Sequence, residues 1–197
     1  MKNLILVLST VLFCLFTLNI KAQMEWPTMP VDSVSKKISY SEVVYVDSTA
    51  SKDQLFSRSR EWFAKTYKSA NSVIQMEDKE SGKIVGKAIM QVYHKALGAN
   101  FESGYINYTI TIYVKDGRYK YEFSDFYHTG QYIDGHRIQD YGACENMIHT
   151  EENPVGINKQ KFFKYYLIQL DENTKLLVEN LKQAMNISAP ANSIDNW

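Results

Sequence analysis

Apolar positions along this chain switch between a period of two and a period near 3.6, and the switches mark out strand, helix, four strands and helix. Ile38 to Val46, with Tyr40, Val43, Val44 and Tyr45, is a β-branched and aromatic run that stops at Asp47-Ser48-Thr49, which predicts a first strand. Ser51 and Gln54 stand at capping-box spacing, and Leu55, Phe56, Trp62, Phe63 and Tyr67 follow at helical intervals, predicting a helix from about Lys52 to Tyr67. Val73 to Asp78 reads as a short strand and Glu80-Ser81-Gly82 as a turn. Lys83 to His94 is a longer strand with Ile84, Gly86, Ala88, Met90 and Val92 on one face. The cleanest alternation sets Ile106, Tyr108, Ile110, Ile112 and Val114 against Tyr105, Asn107, Thr109, Thr111 and Tyr113. Asp116-Gly117 then makes a two-residue hairpin turn. Across it Lys115 faces Arg118, Val114 faces Tyr119, Ile112 faces Tyr121 and Ile110 faces Phe123, so apolar meets apolar.

Gly130, Gly135, Gly142, Pro154 and Gly156 interrupt the pattern and predict a long connection over 129–157. From Asn158, read as a cap, a 3.6-residue period runs through Phe163, Leu167, Leu170, Thr174, Leu177, Leu181 and Met185 into a long last helix. The aromatic residues Phe162, Phe163, Tyr165 and Tyr166 occupy more than one side of it, so its outer side needs a cover, which the 129–157 connection is expected to supply, the alternative being an apolar patch left for a partner or a second copy of the chain. Residues 23–35, with Pro27 and Pro30, read as an extended lead-in, 36–186 as one domain and 187–197 as a tail. A curved antiparallel sheet with both helices on one face is the simplest way to bury these apolar faces. The expected fold is therefore a two-layer α+β sandwich of order β-α-β-β-β-β-α.

Four stretches carry a family resemblance. They are Ile38-Ser39-Tyr40-Ser41-Glu42-Val43-Val44, Ser51-Lys52-Asp53-Gln54-Leu55-Phe56 with Arg58, Arg60 and Trp62, the single residue Gly86, and Lys115-Asp116-Gly117-Arg118-Tyr119. With the last helix, the span from about Lys36 to His128 resembles a family of exported bacterial proteins with a domain of unknown function and a TATA-binding-protein-like (TBP-like) fold. The resemblance implies that fold and an envelope location, and it brings no catalytic residue. A TBP-like fold does not by itself imply DNA binding, because function resides in sites rather than folds.

The N-terminus supports export on its own. Lys2, an apolar run from Leu4 to Leu18 and small Ala22 form a signal peptide over 1–22, with Gln23 the first mature residue and a periplasmic or secreted destination. The run is shorter than the roughly 20 residues that span a bilayer, and no transmembrane segment is expected in the mature chain. Removing Lys2 and Lys21 leaves about 20 basic against 22 acidic side chains, a net charge near −2. That balance lacks the basic excess of a nucleic-acid binder. Cys14 leaves with the signal, so Cys144 is the single mature thiol and no internal disulfide can form.

Two sets of residues carry candidate chemistry. The polar face of the sheet presents Lys87, Gln91, Tyr93, Thr109, Thr111, Tyr113 and Lys120, a mixture of flat rings and hydrogen-bonding groups suited to an envelope protein, a peptide or a glycan. A plain solvated sheet face alternates in the same way. The alternative is a loop-based metal-binding protein or hydrolase using His128, His136, Cys144 and His149, with Asp134 or Asp140 as its general base. Their spacing matches no familiar zinc pattern. No catalytic motif and no cofactor motif is present, so a non-catalytic binding module without a cofactor is expected.

Overall fold

The computed structural model describes residues 25–96, 98–133, 135–137 and 139–186. The expected signal peptide and tail lie outside them, as does Asp134. In chain order the elements are β1 (Tyr40–Tyr45), α1 (Lys52–Thr66), a short α2 (Ala70–Val73), β2 (Ile74–Asp78), β3 (Lys83–Ala96), β4 (Ala99–Lys115) and β5 (Arg118–Thr129). They continue with β6 (Tyr132–Ile133), β7 (His136–Arg137), β8 (Gly142–Ala143), a 3-10 turn (Cys144–Met147) and α3 (Ile157–Asn186). The main sheet is antiparallel in the order β1-β5-β4-β3-β2, with β8 added on β5, and α1 and α3 pack together on one of its faces. The fold is the expected two-layer α+β arrangement.

The hairpin register is the one that the alternation predicts, with Val114 opposite Tyr119, Ile112 opposite Tyr121 and Ile110 opposite Phe123. These residues are buried against Leu55, Trp62 and Phe63 of α1 and Leu167, Leu170 and Leu181 of α3. The Ser51 hydroxyl accepts from Gln54 N–H, and the Gln54 side chain accepts from Ser51 N–H, which closes the capping box. Asp116 in the β4–β5 turn accepts from Lys52 N–H at 2.6 Å, so the turn also holds the first turn of α1.

The start of the last helix and the lead-in are among the boundaries that differ from the sequence reading. Asn158 is not the cap of α3: the helix begins at Ile157, and the Gly156 carbonyl accepts from Lys159 and Gln160 N–H. The lead-in is extended only as far as Pro30. Val31 then bridges Ile38 around a turn in which Asp32 accepts from Val34 N–H and from the N–H and hydroxyl of Ser35. Met29 is buried, and Trp26 stacks on His149 at 5.4 Å with Lys164 over its ring. Burial of these two apolar side chains attaches the lead-in to the domain.

The connection packs on the first turns of α3, against its buried stripe. Tyr141 meets Phe163 edge-on at 5.0 Å, while Lys159 lies 5.8 Å over its ring. Cys144, Met147 and Val155 are buried with it. No helix among the described residues is long and apolar enough to cross a membrane.

Candidate functional site

The sheet face turned away from the helices is built by the odd-numbered positions of β4 and their neighbours. Lys83 pairs with Tyr113, Val85 with Thr111 and Lys87 with Thr109 on one side. Thr111 pairs with Glu122 and Tyr113 with Lys120 on the other, and Val43 and Tyr45 of β1 stand beside Lys120 and Arg118. The structure therefore gathers Lys87, Thr109, Thr111, Tyr113 and Lys120 on one surface. A groove of about 520 Å³ crosses its β1 end, lined by Val43 and Tyr45 of β1, Tyr113 and Lys115 of β4, and Arg118 and Lys120 of β5. Tyr45 is 71% exposed, Val43 48% and Tyr113 38%.

Cations dominate this region. Lys83 lies 5.3 Å over the Tyr113 ring and Arg118 6.0 Å over the Tyr45 ring, contacts that leave the charged heads at the surface. With Lys87, Lys115 and Lys120 they face two acids: Glu122, 3.6 Å from Lys120, and Asp78, which stands opposite Lys83 and accepts from Ser81 N–H. Glu42 belongs to the other layer. Hydrogen bonds from Lys182 at 2.6 Å and the Tyr121 hydroxyl at 2.8 Å hold its carboxyl below the usual range.

At Gln91 and Tyr93 the β3–β4 ladder carries a bulge, and the Tyr93 side chain stays 38% exposed. The ladder slips between them and Tyr105, where Gly104 takes φ of +100°. A Cβ on Gly104 would lie 2.3 Å from the Thr129 carbonyl oxygen. Gln91 donates to the Gly104 carbonyl at 2.8 Å. The Gln169 side chain of α3 accepts from Tyr93 N–H at 3.0 Å and donates to Tyr93 C=O at 2.7 Å. Simple alternation continues a strand straight through a bulge and carries no signal of one.

The loop residues are dispersed. His128 is fully buried, donates from Nε2 to the Ser103 carbonyl at 2.9 Å, accepts from Tyr141 N–H at Nδ1, and stacks on Tyr166 at 4.9 Å. Both ring nitrogens are therefore engaged, and burial lowers its pKa from the usual imidazole range. Burial, with the negative charge of Glu145 beside it, pushes the Cys144 thiol well above its usual range, the reverse of what a nucleophile or metal ligand needs. His149 accepts from Val155 N–H at 3.0 Å. His136 sits on β7, and no group of three or more His, Cys, Asp or Glu side chains among the described residues is arranged to hold a metal ion.

One constellation had no sequence signal. The Ser103 hydroxyl of β4 lies in a very short contact with His94 Nδ1 of β3, and neither residue belongs to a motif. Ser103 is only 1% exposed, so a substrate carbonyl has no approach to its hydroxyl.

A search of curated proteins finds no match. Among solved structures, a DUF4468 family protein from Bacteroides ovatus is 17% identical and superposes with a TM-score of 0.57, over 82% of this chain and 94% of that one. A TBP-like protein from Parabacteroides distasonis is 20% identical with a TM-score of 0.53, over 74% of this chain and 93% of that one. Both likenesses concern the fold. Residues 40–129 match DUF4468, a domain of unknown function with a TBP-like fold.

The DUF4468 match runs from the start of β1 to the end of β5. It thus contains every residue lining the groove and stops before Tyr141, Cys144 and His149. Sequence reasoning missed the groove's β1 half. Arg118 and Lys115 were readable from the hairpin, but Val43 and Tyr45 join them only because β1 pairs with β5 across more than 70 intervening residues, a long-range pairing with no local signal.

Proposed function

We propose that this protein is a non-catalytic, exported module of the cell envelope whose open sheet face binds another macromolecule. Residues 1–22 act as the signal peptide, and the mature protein works in the periplasm or outside the cell. The observation that carries the reading is the exposure of Val43, Tyr45 and Tyr113 among five cations on a face that the described loops and helices leave open. Exposed rings rimmed by charged groups are the usual composition of recognition surfaces, since rings give large contact area at small entropic cost. The competing metal or hydrolase reading has less support, because His128 and Cys144 are committed to the core.

A photoreactive amino acid placed at Thr111 on the open face, compared with one at Glu61 on α1, tests the reading in cells that export the protein. A discrete adduct formed from Thr111 and not from Glu61 is expected. Adducts from both positions alike, or from neither, would remove the sheet face as the binding surface.

A further inference from the structure

The free edge of β1 adjoins the basic groove, and the two together define an occupant. β1 is the end strand of the main sheet. Val46 N–H donates to Gly117 C=O at 3.0 Å, in register with Tyr45 opposite Arg118. Hydrogen-bonded pairs alternate along an antiparallel ladder. Val44, Glu42 and Tyr40 therefore exchange bonds with β5, and Ser41, Val43 and Tyr45 direct their N–H and C=O groups away from the sheet. Ser39 has the same parity, and its N–H donates to the Pro30 carbonyl of the lead-in at 2.9 Å. The lead-in thus begins to add to this edge. It then departs, with Trp26 against His149, and no strand among the described residues pairs with Ser41 to Tyr45.

Proteins protect such edges with lysine, proline or bulges. Ser41-Glu42-Val43-Val44-Tyr45 has none, and its one charge, Glu42, is turned to Lys182 in the helix layer. We propose that this edge receives an extended acidic peptide of a partner protein, which adds as a strand beside β1 and places alternate carboxylates toward Arg118 and Lys120. This rests on the sheet-face reading above and names its partner. Main-chain hydrogen bonds supply affinity in such additions, and alternate side chains supply specificity. Strands lie about 4.8 Å apart, so β5 is two strands from the added peptide, within reach of long arginine and lysine side chains. Charge complementarity selects an acidic peptide over a second copy of this chain, whose own groove would bring cations against cations.

The test uses the exported protein and a capped peptide of six residues, the length of β1, alternating Glu with Thr and Val. Its comparators are the same peptide N-methylated at alternate residues and the version with Lys for Glu. Calorimetry is expected to show saturable binding of the acidic peptide and none of the other two. Val43→Pro removes one outward N–H while leaving the β5 ladder intact, and it should abolish binding with the circular dichroism spectrum unchanged. Lys120→Glu and Arg118→Glu should each weaken binding by at least about tenfold.

Equal binding of the N-methylated peptide would overturn strand addition, and the comparison does not depend on any variant folding. A dimer of the unliganded protein that Val43→Pro dissociates would assign the edge to a second copy instead. Binding of polygalacturonate, a uronate polysaccharide, that survives Val43→Pro would overturn the peptide in favour of a glycan on the groove. Failure of all peptides while Thr111 still crosslinks would overturn this inference and leave the sheet-face reading standing.

Discussion

Gly86 lies directly under the Phe63 ring. A Cβ there would stand 2.6 Å from Phe63 Cε1, and both atoms belong to the packed layer between β3 and α1. Gly86→Ala is expected to cost about 1–3 kcal/mol through overpacking, measured by urea denaturation, and Phe63→Leu in the same chain should recover part of the loss. His128 gives a second expectation at this scale. Its pKa is lowered on folding by burial, so the unfolded chain binds more protons as pH falls below the ordinary imidazole value near 6.5. The stability it contributes is present above that pH and is lost as pH falls through the folded value. The thermal midpoint should therefore fall between pH 7 and pH 5. In His128→Phe that slope should flatten, with a lower midpoint at pH 7 because the Ser103 carbonyl loses its donor.

Elements are joined by a few polar ties between otherwise apolar layers. At the start of α1, Ser51 supplies the box and Asp116 supplies a second acceptor from the opposite hairpin. Ser51→Ala should cost about 1 kcal/mol in chemical denaturation. The double variant with Asp116→Ala should lose more than the sum of the two single losses, because each acceptor partly compensates for the other at the same helix end. The capping box was legible in the sequence since its residues are three apart. The Asp116 contribution was not, because 64 residues separate it from Lys52 and only the packing of the hairpin on α1 brings them together. Glu42 and Lys182 join β1 to α3 in the same long-range manner.

At the scale of the molecule, the described residues seal one face of the sheet and leave the other open. Cys144 lies at the sealed side, fully buried, so a thiol reagent should leave Cys144 unlabelled in the native protein and modify it in denaturant. Rapid labelling under native conditions would mean that the 139–149 segment opens independently of the core. The five long strands in their order, both main helices and the hairpin register were legible in the sequence alone, because period, cap and turn signals act over a few residues and each strand's apolar set can face only one way. Charge balance and the apolar N-terminus are properties of the sequence that support the proposed partner and compartment. The tertiary structure decided what depends on distant pairing: that β1 ends the sheet beside β5, that a bulge at Gly104 engages the Gln91 side chain, and that His128 and Cys144 belong to the core. A free edge and a groove are relations between strands far apart in the chain. They come into being only when loop closure has been offset by the burial that the local pattern makes possible.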